Sequence, residues 1–468
     1  MANEKTAGEK LQEQLLLKRE NIGMKADDAV QAAADAFCEG YKQFIDACKV
    51  EREAVTYMIQ MAKGQGYQEF DPGSVYLPGD RVFYNNRGKA LILATIGTRP
   101  IADGVKIVAS HIDSPRLDLK PNPLYEEGQI ALFKTHYYGG IKKYQWSAIP
   151  LALHGVIVKK DGTCITVNLG EDKGDPVFTV TDLLPHLAKD QMTRSLKDGI
   201  KGEELNIVVG LRPFKDEKVT EAVKLNVMRI LNEKYGITEN DFISAELAAV
   251  PAFEARDLGL DRSMIGAYGH DDRVCAYTSL MAALEVKDPD YTTVTVFADK
   301  EEVGSDGNTG LNSNYLKYFI KYLAGTHGLS GREVLSKSTC LSADVNAAFD
   351  PTFDGVLEKR NCAYLNYGVV VTQYTGAGGK SGTSQASAEF MADVRNILDD
   401  AKVYWQTGEL GKVDQGGGGT VAKYVAALDV DVVDVGVPVL SMHAPFEVVS
   451  KNDVYMTYEA FKAYIRAK

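Results

Sequence analysis

Apolar and polar positions recur with different periods along the chain. Over residues 5–64 they repeat at helical spacing, with Leu11, Leu15 and Leu16 on one stripe and an Ala-rich stretch running past Phe44 and Cys48. This predicts a helical layer packed on a core, stopped at Gly64-Gln65-Gly66. Residues 80–84 and 90–96 flank Asn85-Asn86-Arg87-Gly88 and predict a hairpin. Gly104-Val105-Lys106-Ile107-Val108-Ala109 is short, apolar and β-branched, a buried strand. From about 115 to 255 the strands alternate in polarity instead. Residues 155–160 and 164–167 surround Asp161-Gly162-Thr163, more strand follows at 177–180 and 207–210, and one amphipathic helix over 221–235 ends at Gly236. The buried-strand style then returns, with strands at 292–298, 339–343 and 437–441 and helices at 272–284, 387–401, 420–427 and 455–466. Strand alternating with helix predicts an α/β fold, a mostly parallel sheet with helices on both faces. Residues 1–114 and 256–468 form that domain, interrupted by an inserted, mainly β domain over 115–255.

Chemistry-bearing residues follow these apolar runs. His111 and Asp113 come after the first buried strand, Asp299-Lys300-Glu301-Glu302 after 292–298, Asp344 after 339–342, and Ser441-Met442-His443 after 437–440. Gly269-His270-Asp271 precedes the 272–284 helix. In a parallel sheet the strand ends share one edge, where open α/β sheets place their chemistry. The cluster offers more imidazole and carboxylate ligands than one four-coordinate zinc needs, which suits two metals bridged by a carboxylate. Neighbouring residues of an extended segment point opposite ways, so Glu301 and Glu302 divide into one ligand and one proton carrier. Asp113 is too close to His111 to share its metal and suits a hydrogen bond to the other imidazole nitrogen. His270 and Asp271 are both candidates for the ligand before the helix. His136, His154, His186 and His327 carry no matching context.

Composition narrows the function. The chain has 468 residues and a net charge of −12, which argues against a nucleic-acid or anionic-membrane partner. Six cysteines show neither a zinc-finger spacing nor a disulfide framework, and Met1-Ala2-Asn3-Glu4-Lys5 opens no secretory h-region. No uncharged apolar run reaches membrane-spanning length. The expected compartment is the cytoplasm. A serine hydrolase fits poorly without a Gly-x-Ser-x-Gly elbow. Gly416-Gly417-Gly418-Gly419 has no Walker lysine. Gly417 and Gly418 are therefore read either as backbone that approaches a bound substrate or as a flexible loop.

Four motifs, Ala109-Ser110-His111-Ile112-Asp113-Ser114-Pro115, Asp299-Lys300-Glu301-Glu302-Val303-Gly304-Ser305, Ser342-Ala343-Asp344 and Ser441-Met442-His443-Ala444-Pro445, make the chain resemble the aspartyl aminopeptidase family of dinuclear metallopeptidases. The resemblance spans nearly the whole chain. It implies a zinc-exopeptidase type of sheet and two zinc ions per subunit; a mixed nitrogen and oxygen donor set also accepts cobalt or manganese. It assigns His111 and Asp344 to one metal, Glu302 and His443 to the other, and Asp271 to the bridge. Glu301 is the implied general base and Asp113 the residue that orients His111. It also implies peptide substrates, an inserted domain that dimerises, and a dodecameric homo-oligomer. Two positions depart from the family pattern. Asp190 stands where the insertion often carries a histidine, and Thr372 where acid-preferring members place a lysine. Lys380 is the candidate cation for an acidic N-terminal residue. The expected function is a metal-dependent aminopeptidase. The alternatives are a related dinuclear deacylase or carboxypeptidase, or a shell-forming assembly protein with a decayed site.

Overall fold

The computed structural model describes residues 5–468. Residues 1–4, on which the reading of the chain's start rests, lie outside the described residues. Helix comes first, in four pieces: Ala7–Leu15, Ile22–Lys25, Asp28–Ala47 and Glu51–Gly64. The divisions have local causes. Thr6 and Glu9 form a capping box, and Asn21 and Asp27 cap the next two helices with side-chain oxygens. Only the last two bury an apolar stripe of any length, through Cys38, Tyr41, Phe44 and Ile45 and through Val55, Met58 and Ala62. Leu11, Leu15 and Leu16 are exposed, so their spacing marks a helix but not a core layer.

The main sheet has nine strands, in the order Gln68–Glu69, Arg81–Asn86, Ala90–Thr95, Thr293–Ala298, Lys106–His111, Thr339–Ser342, Asp431–Gly436, Val369–Thr372 and Trp405–Thr407. The fold is α/β and the sheet is mixed. Its central run from Thr293–Ala298 to Asp431–Gly436 is parallel, and antiparallel neighbours flank it on both sides. The central strands read as continuous apolar runs because both faces are covered. Val108, Phe297 and Leu341 pack among the helices Asp28–Ala47, His270–Glu285 and Lys451–Arg466. Ile107, Ala109 and Val296 face Leu316, Phe319 and Ile320 of Tyr315–Gly325. Asp431–Gly436 escapes the apolar pattern because Asp434 interrupts it. That carboxyl is buried, accepts the Thr420 hydroxyl at 2.7 Å, and is pushed up to about 7 by burial.

A second sheet of seven strands is built wholly from chain between Arg116 and Pro251. All its pairings are antiparallel. Its Arg116–Glu127 strand begins directly after the Asp113-Ser114-Pro115 stretch that leaves the main sheet.

The strand expected at 437–441 does not end the main sheet. Pro438–Leu440 pairs with Asn346–Ala347 and with Glu447–Ser450 in a third, five-stranded sheet. Met264–Ala267, which leads into His270–Glu285, pairs with Glu447–Ser450 in the same sheet. No helix among the described residues is long and apolar enough to cross a membrane.

Candidate metal centre

Register brings the first groups together. Ala298 lies opposite His111 and Ser342 opposite Ala109, so Glu301, Glu302 and Asp344 emerge from the same edge as His111. His443 and Asp271 arrive from the third sheet. For His443 this corrects the expectation that the strand before it ends on the edge of the parallel sheet. Asp271 sits in the opening turn of His270–Glu285, where Asp271 and Asp272 have non-helical backbone and their shared peptide bond is cis. Gly269 precedes them at φ 81°, and a Cβ there would collide with the buried Arg273 guanidinium. Glu301 and Glu302 open a 3-10 turn over Glu301–Val303 and are not extended. Successive residues of such a turn are about 120° apart, so the two carboxylates still diverge, for a different reason than expected.

Two ligand groups result, His111, Asp271 and Asp344 in one and Asp271, Glu302 and His443 in the other. Within each, the ligand atoms lie within 4.8 Å of one another. His111 Nε2 is 3.2 Å from Asp271 Oδ1 and 3.8 Å from Asp344 Oδ1. His443 Nε2 is 3.2 Å from Asp271 Oδ2 and 3.5 Å from Glu302 Oε2. The opposite ring nitrogens decide the tautomers. His111 Nδ1 donates to the Asp113 carbonyl at 3.0 Å, and His443 Nδ1 donates to the Gly140 carbonyl at 2.7 Å. A carbonyl oxygen only accepts, so each Nδ1 carries a proton and each Nε2 faces two carboxylates. Either a second proton or a cation must lie between them. Asp271 Oδ1 and Glu302 Oε1 are also buried with no hydrogen-bond partner among the described residues. A mixed nitrogen and oxygen donor set with unpaired carboxylate oxygens fits zinc.

Electrostatics follow from burial and crowding. Burial pushes the Glu302 carboxyl well up, reinforced by Asp271. Burial likewise raises Glu301 to about 8; His111 opposes this, and Asp344, Asp113 and Asp271 add to it. Burial raises Asp344 too. Burial works against Asp271 as well, but His111 and His443 outweigh it and hold that carboxyl below the usual range. His443 is raised to about 11 because Asp271 and Glu302 overcome its burial. Divalent cations relieve this concentration of negative charge.

The Asp113 carboxylate approaches His111 Nδ1 only to 3.5 Å. The imidazole Nδ1 donates to the Asp113 backbone carbonyl instead, which differs from the expected pairing. The carboxylate has other work. It accepts the backbone N–H groups of Glu301 and Glu302 at 3.1 and 3.2 Å. His270 lies outside both groups. Its Nδ1 meets the Tyr41 hydroxyl at 2.6 Å, its Nε2 meets the Ile265 carbonyl at 3.1 Å, and burial pushes it down to about 3. His154 is likewise occupied, between Glu53 and Glu171.

Glu447 is absent from the sequence reading and holds the centre from behind. Its carboxylate accepts the His443 N–H at 2.7 Å and the Asp271 N–H at 3.1 Å. Ser441 and His443 both adopt left-handed backbone beside it. No local pattern distinguishes this glutamate from a surface one, and only the third sheet brings it near Asp271.

A cavity of about 490 Å³ opens over both groups. Gly417 and Gly418 line it, and so do Glu301, Thr375, Leu410 and Met442. Lys380 does not. It lines a neighbouring cavity, with its ammonium 3.9 Å from the Tyr374 ring centroid. The lysine on the wall of the metal cavity is Lys423, exposed and 4.7 Å from the Tyr424 ring centroid. It sits in the short helix Ala422–Ala426 just past the glycine run.

Residues 44–465 match the family model described as aminopeptidase I zinc metalloprotease (M18). A probable M18 family aminopeptidase 1 of Clostridium acetobutylicum is 51% identical over 462 residues, spanning 96% of this chain and 99% of that one. A crystal structure of aminopeptidase I from the same organism superposes with a TM-score of 0.92 at 48% identity, covering 97% of this chain and all of the other. The crystal structure of an M18 aminopeptidase from Thermotoga maritima superposes at 0.91 with 44% identity, covering 96% of this chain and 100% of that one. The chain therefore belongs to the M18 family of zinc metallopeptidases and is a metal-dependent aminopeptidase, a hydrolase of the exopeptidase class.

Proposed function

We propose that the enzyme works through two metal ions, with Asp271 as the bridge, His111 and Asp344 holding one ion, and Glu302 and His443 holding the other. The observation that carries this reading is that both histidines spend Nδ1 on backbone carbonyls while each Nε2 faces two carboxylates, with Asp271 common to both sets. Zinc held there supplies Lewis acidity at the scissile carbonyl and lowers the pKa of water toward neutrality. The chain's own residues do the rest. The free α-amine of the peptide seats among the cavity carboxylates. Glu301 takes a proton from the attacking water and returns it to the leaving amine. Asp113 holds the Glu301–Glu302 turn by its two N–H groups. Gly417 and Gly418 let the substrate backbone approach closely, since neither carries a Cβ.

The test compares aminoacyl-coumarin substrates with their N-acetylated forms, each with and without chelator. Turnover of the free-amine substrate alone, lost on chelation and restored by zinc, is the expected result. Turnover of the acetylated forms moves the reading to a deacylase.

Among the described residues an acidic N-terminal residue finds one side-chain ammonium on the cavity wall, Lys423, and that one is exposed. An exposed ion pair contributes at most about 1 kcal/mol, roughly fivefold. We therefore assign a weak acidic preference at best. Lys423→Ala is expected to lower kcat/KM about fivefold or less for aspartyl and glutamyl substrates and to leave leucyl and methionyl substrates unchanged. A loss shared equally by all four substrates counts against an acid-binding role for Lys423.

We further assign residues 115–255 as a dimerising insertion and the working form as a homo-oligomer. Leu183, Leu184, Leu187, Met192 and Leu196 stand exposed on one stretch of the insertion, an apolar face that a second copy can cover. A Saccharomyces structure of this fold, 19% identical with a TM-score of 0.74, is described as a dodecamer.

A further inference from the structure

The seven-stranded sheet meets the metal centre at three successive residues, Tyr138, Gly139 and Gly140. Tyr138 ends the strand Ile130–Tyr138, and its hydroxyl donates to Asp113 Oδ2 at 2.7 Å. The same oxygen accepts the Glu302 N–H at 3.2 Å, and its partner Oδ1 accepts the Glu301 N–H at 3.1 Å. Gly139 lies so close to Glu302 that a Cβ there would come within 3.3 Å of that side chain. Gly140 supplies the carbonyl that orients His443.

We infer that Tyr138 is a positioning residue, acting through the Asp113 carboxylate to hold the Glu301–Glu302 turn and so the Glu302–His443 half of the centre. This rests on the dinuclear reading given above. The turn needs an anchor. Lys300 before it and Gly304 after it both have left-handed backbone, at φ 67° and 92°, and the Asp113 carboxylate is what its first two N–H groups bind. Each N–H holds one oxygen of that carboxylate, and the Tyr138 hydroxyl adds a third hydrogen bond, on Oδ2, that fixes its plane.

The phenol is itself held. The Arg116 guanidinium lies 4.2 Å from its ring centroid and the Lys300 ammonium 5.2 Å from it. Arg116 is fixed in turn by Glu51 and Asp118, each at 2.8 Å. His111 is supported separately. Its ring bonds the Asp113 backbone and its N–H reaches Asp272 at 3.3 Å, and neither contact uses the Asp113 carboxylate. The Asp113 carboxylate comes only to 3.5 Å of His111 Nδ1, so loss of the Tyr138 hydroxyl falls mainly on the Glu302–His443 half of the centre.

Tyr138→Phe tests this, because it deletes one oxygen and leaves the ring between Arg116 and Lys300. Tyr137→Phe, on the same strand and 40% exposed, is the control. Steady-state kinetics at saturating zinc are paired with calorimetric zinc titration of metal-stripped full-length protein and with thermal melts. The expected result for Tyr138→Phe is a kcat lowered about 10–100-fold, the usual cost of an outer-sphere partner, with KM within about twofold. In the titration one class of zinc sites weakens about tenfold or more and the other keeps wild-type affinity. A kcat within about twofold of wild type overturns the inference. So does equal weakening of both classes together with a lowered melting temperature, which marks a purely structural role. The two readings fail differently. Wild-type turnover that survives chelation sinks the dinuclear centre, whereas a Tyr138→Phe enzyme with wild-type kcat sinks the positioning role whatever the wild-type metal content.

Discussion

Glu301→Gln is expected to lower kcat by about 10²–10⁴-fold while the protein keeps its full complement of zinc. Two observations combine in that expectation. Glu301 lines the cavity but belongs to neither ligand group, so metal retention does not depend on it. Its N–H is anchored by Asp113, so an isosteric amide takes the same position. What the amide cannot do is accept a proton from water. Burial raises the native carboxyl to about 8, opposed by His111 and reinforced by Asp344, Asp113 and Asp271, and bound cations pull it back toward neutrality. A proton carrier is most effective when its pKa lies near the working pH. The check is steady-state kinetics on a chromogenic aminoacyl substrate, with metal content measured on the same sample. Near-normal turnover with both ions in place removes Glu301 from the mechanism.

The second large effect is expected at Asp271. Its two oxygens each face a different histidine Nε2, both at 3.2 Å. An asparagine there offers one oxygen and one NH₂ group, so it serves one half of the centre and presents a donor to the other. Asp271→Asn is therefore expected to leave at most one tightly held ion after dialysis. Its kcat is expected to fall at least about 100-fold, the upper end of what losing an outer-sphere partner costs. His443→Ala separates the cases, since it leaves the His111, Asp271 and Asp344 group intact. Two retained ions and a kcat within about tenfold of wild type in Asp271→Asn mean that Asp271 does not bridge. Circular dichroism of both variants guards against misfolding. Asp271 is buried, and Glu447 holds its N–H independently of the side chain.

Why some of this was legible in the chain and some was not has a consistent physical cause. His111, Glu301, Glu302 and Asp344 each follow an apolar run that both faces of a covered sheet require, so local pattern marked them. His270 and Asp271 sit one residue apart before the same helix, and spacing does not separate them. The separation comes from Tyr41 and the Ile265 carbonyl, which occupy both nitrogens of His270. Glu447 acts on Asp271, 176 positions away, and Tyr138 on Asp113 from the far end of another strand, 25 positions on, so neither has a local signature. Lys380, the expected cation, shows the same lack: only the folded glycine-rich segments put it beyond the cavity and Lys423 on its wall.

By itself the sequence determined the α/β class, the family and the metal-dependent aminopeptidase activity. The class follows from the order of apolar runs, and the family and activity from the resemblance carried by the four motifs that end them. It also marked Asp113 as a neighbour of His111, because two residues along a strand end cannot be far apart. The tertiary structure decided what Asp113 does. The carboxylate turns away from the imidazole to hold the glutamate turn, and a phenol from the second sheet holds it in place. It also decided that His443 and Asp271 come from a third sheet. Hydrogen-bond direction and sheet membership are set by contacts between distant segments, and neither is written in local periodicity.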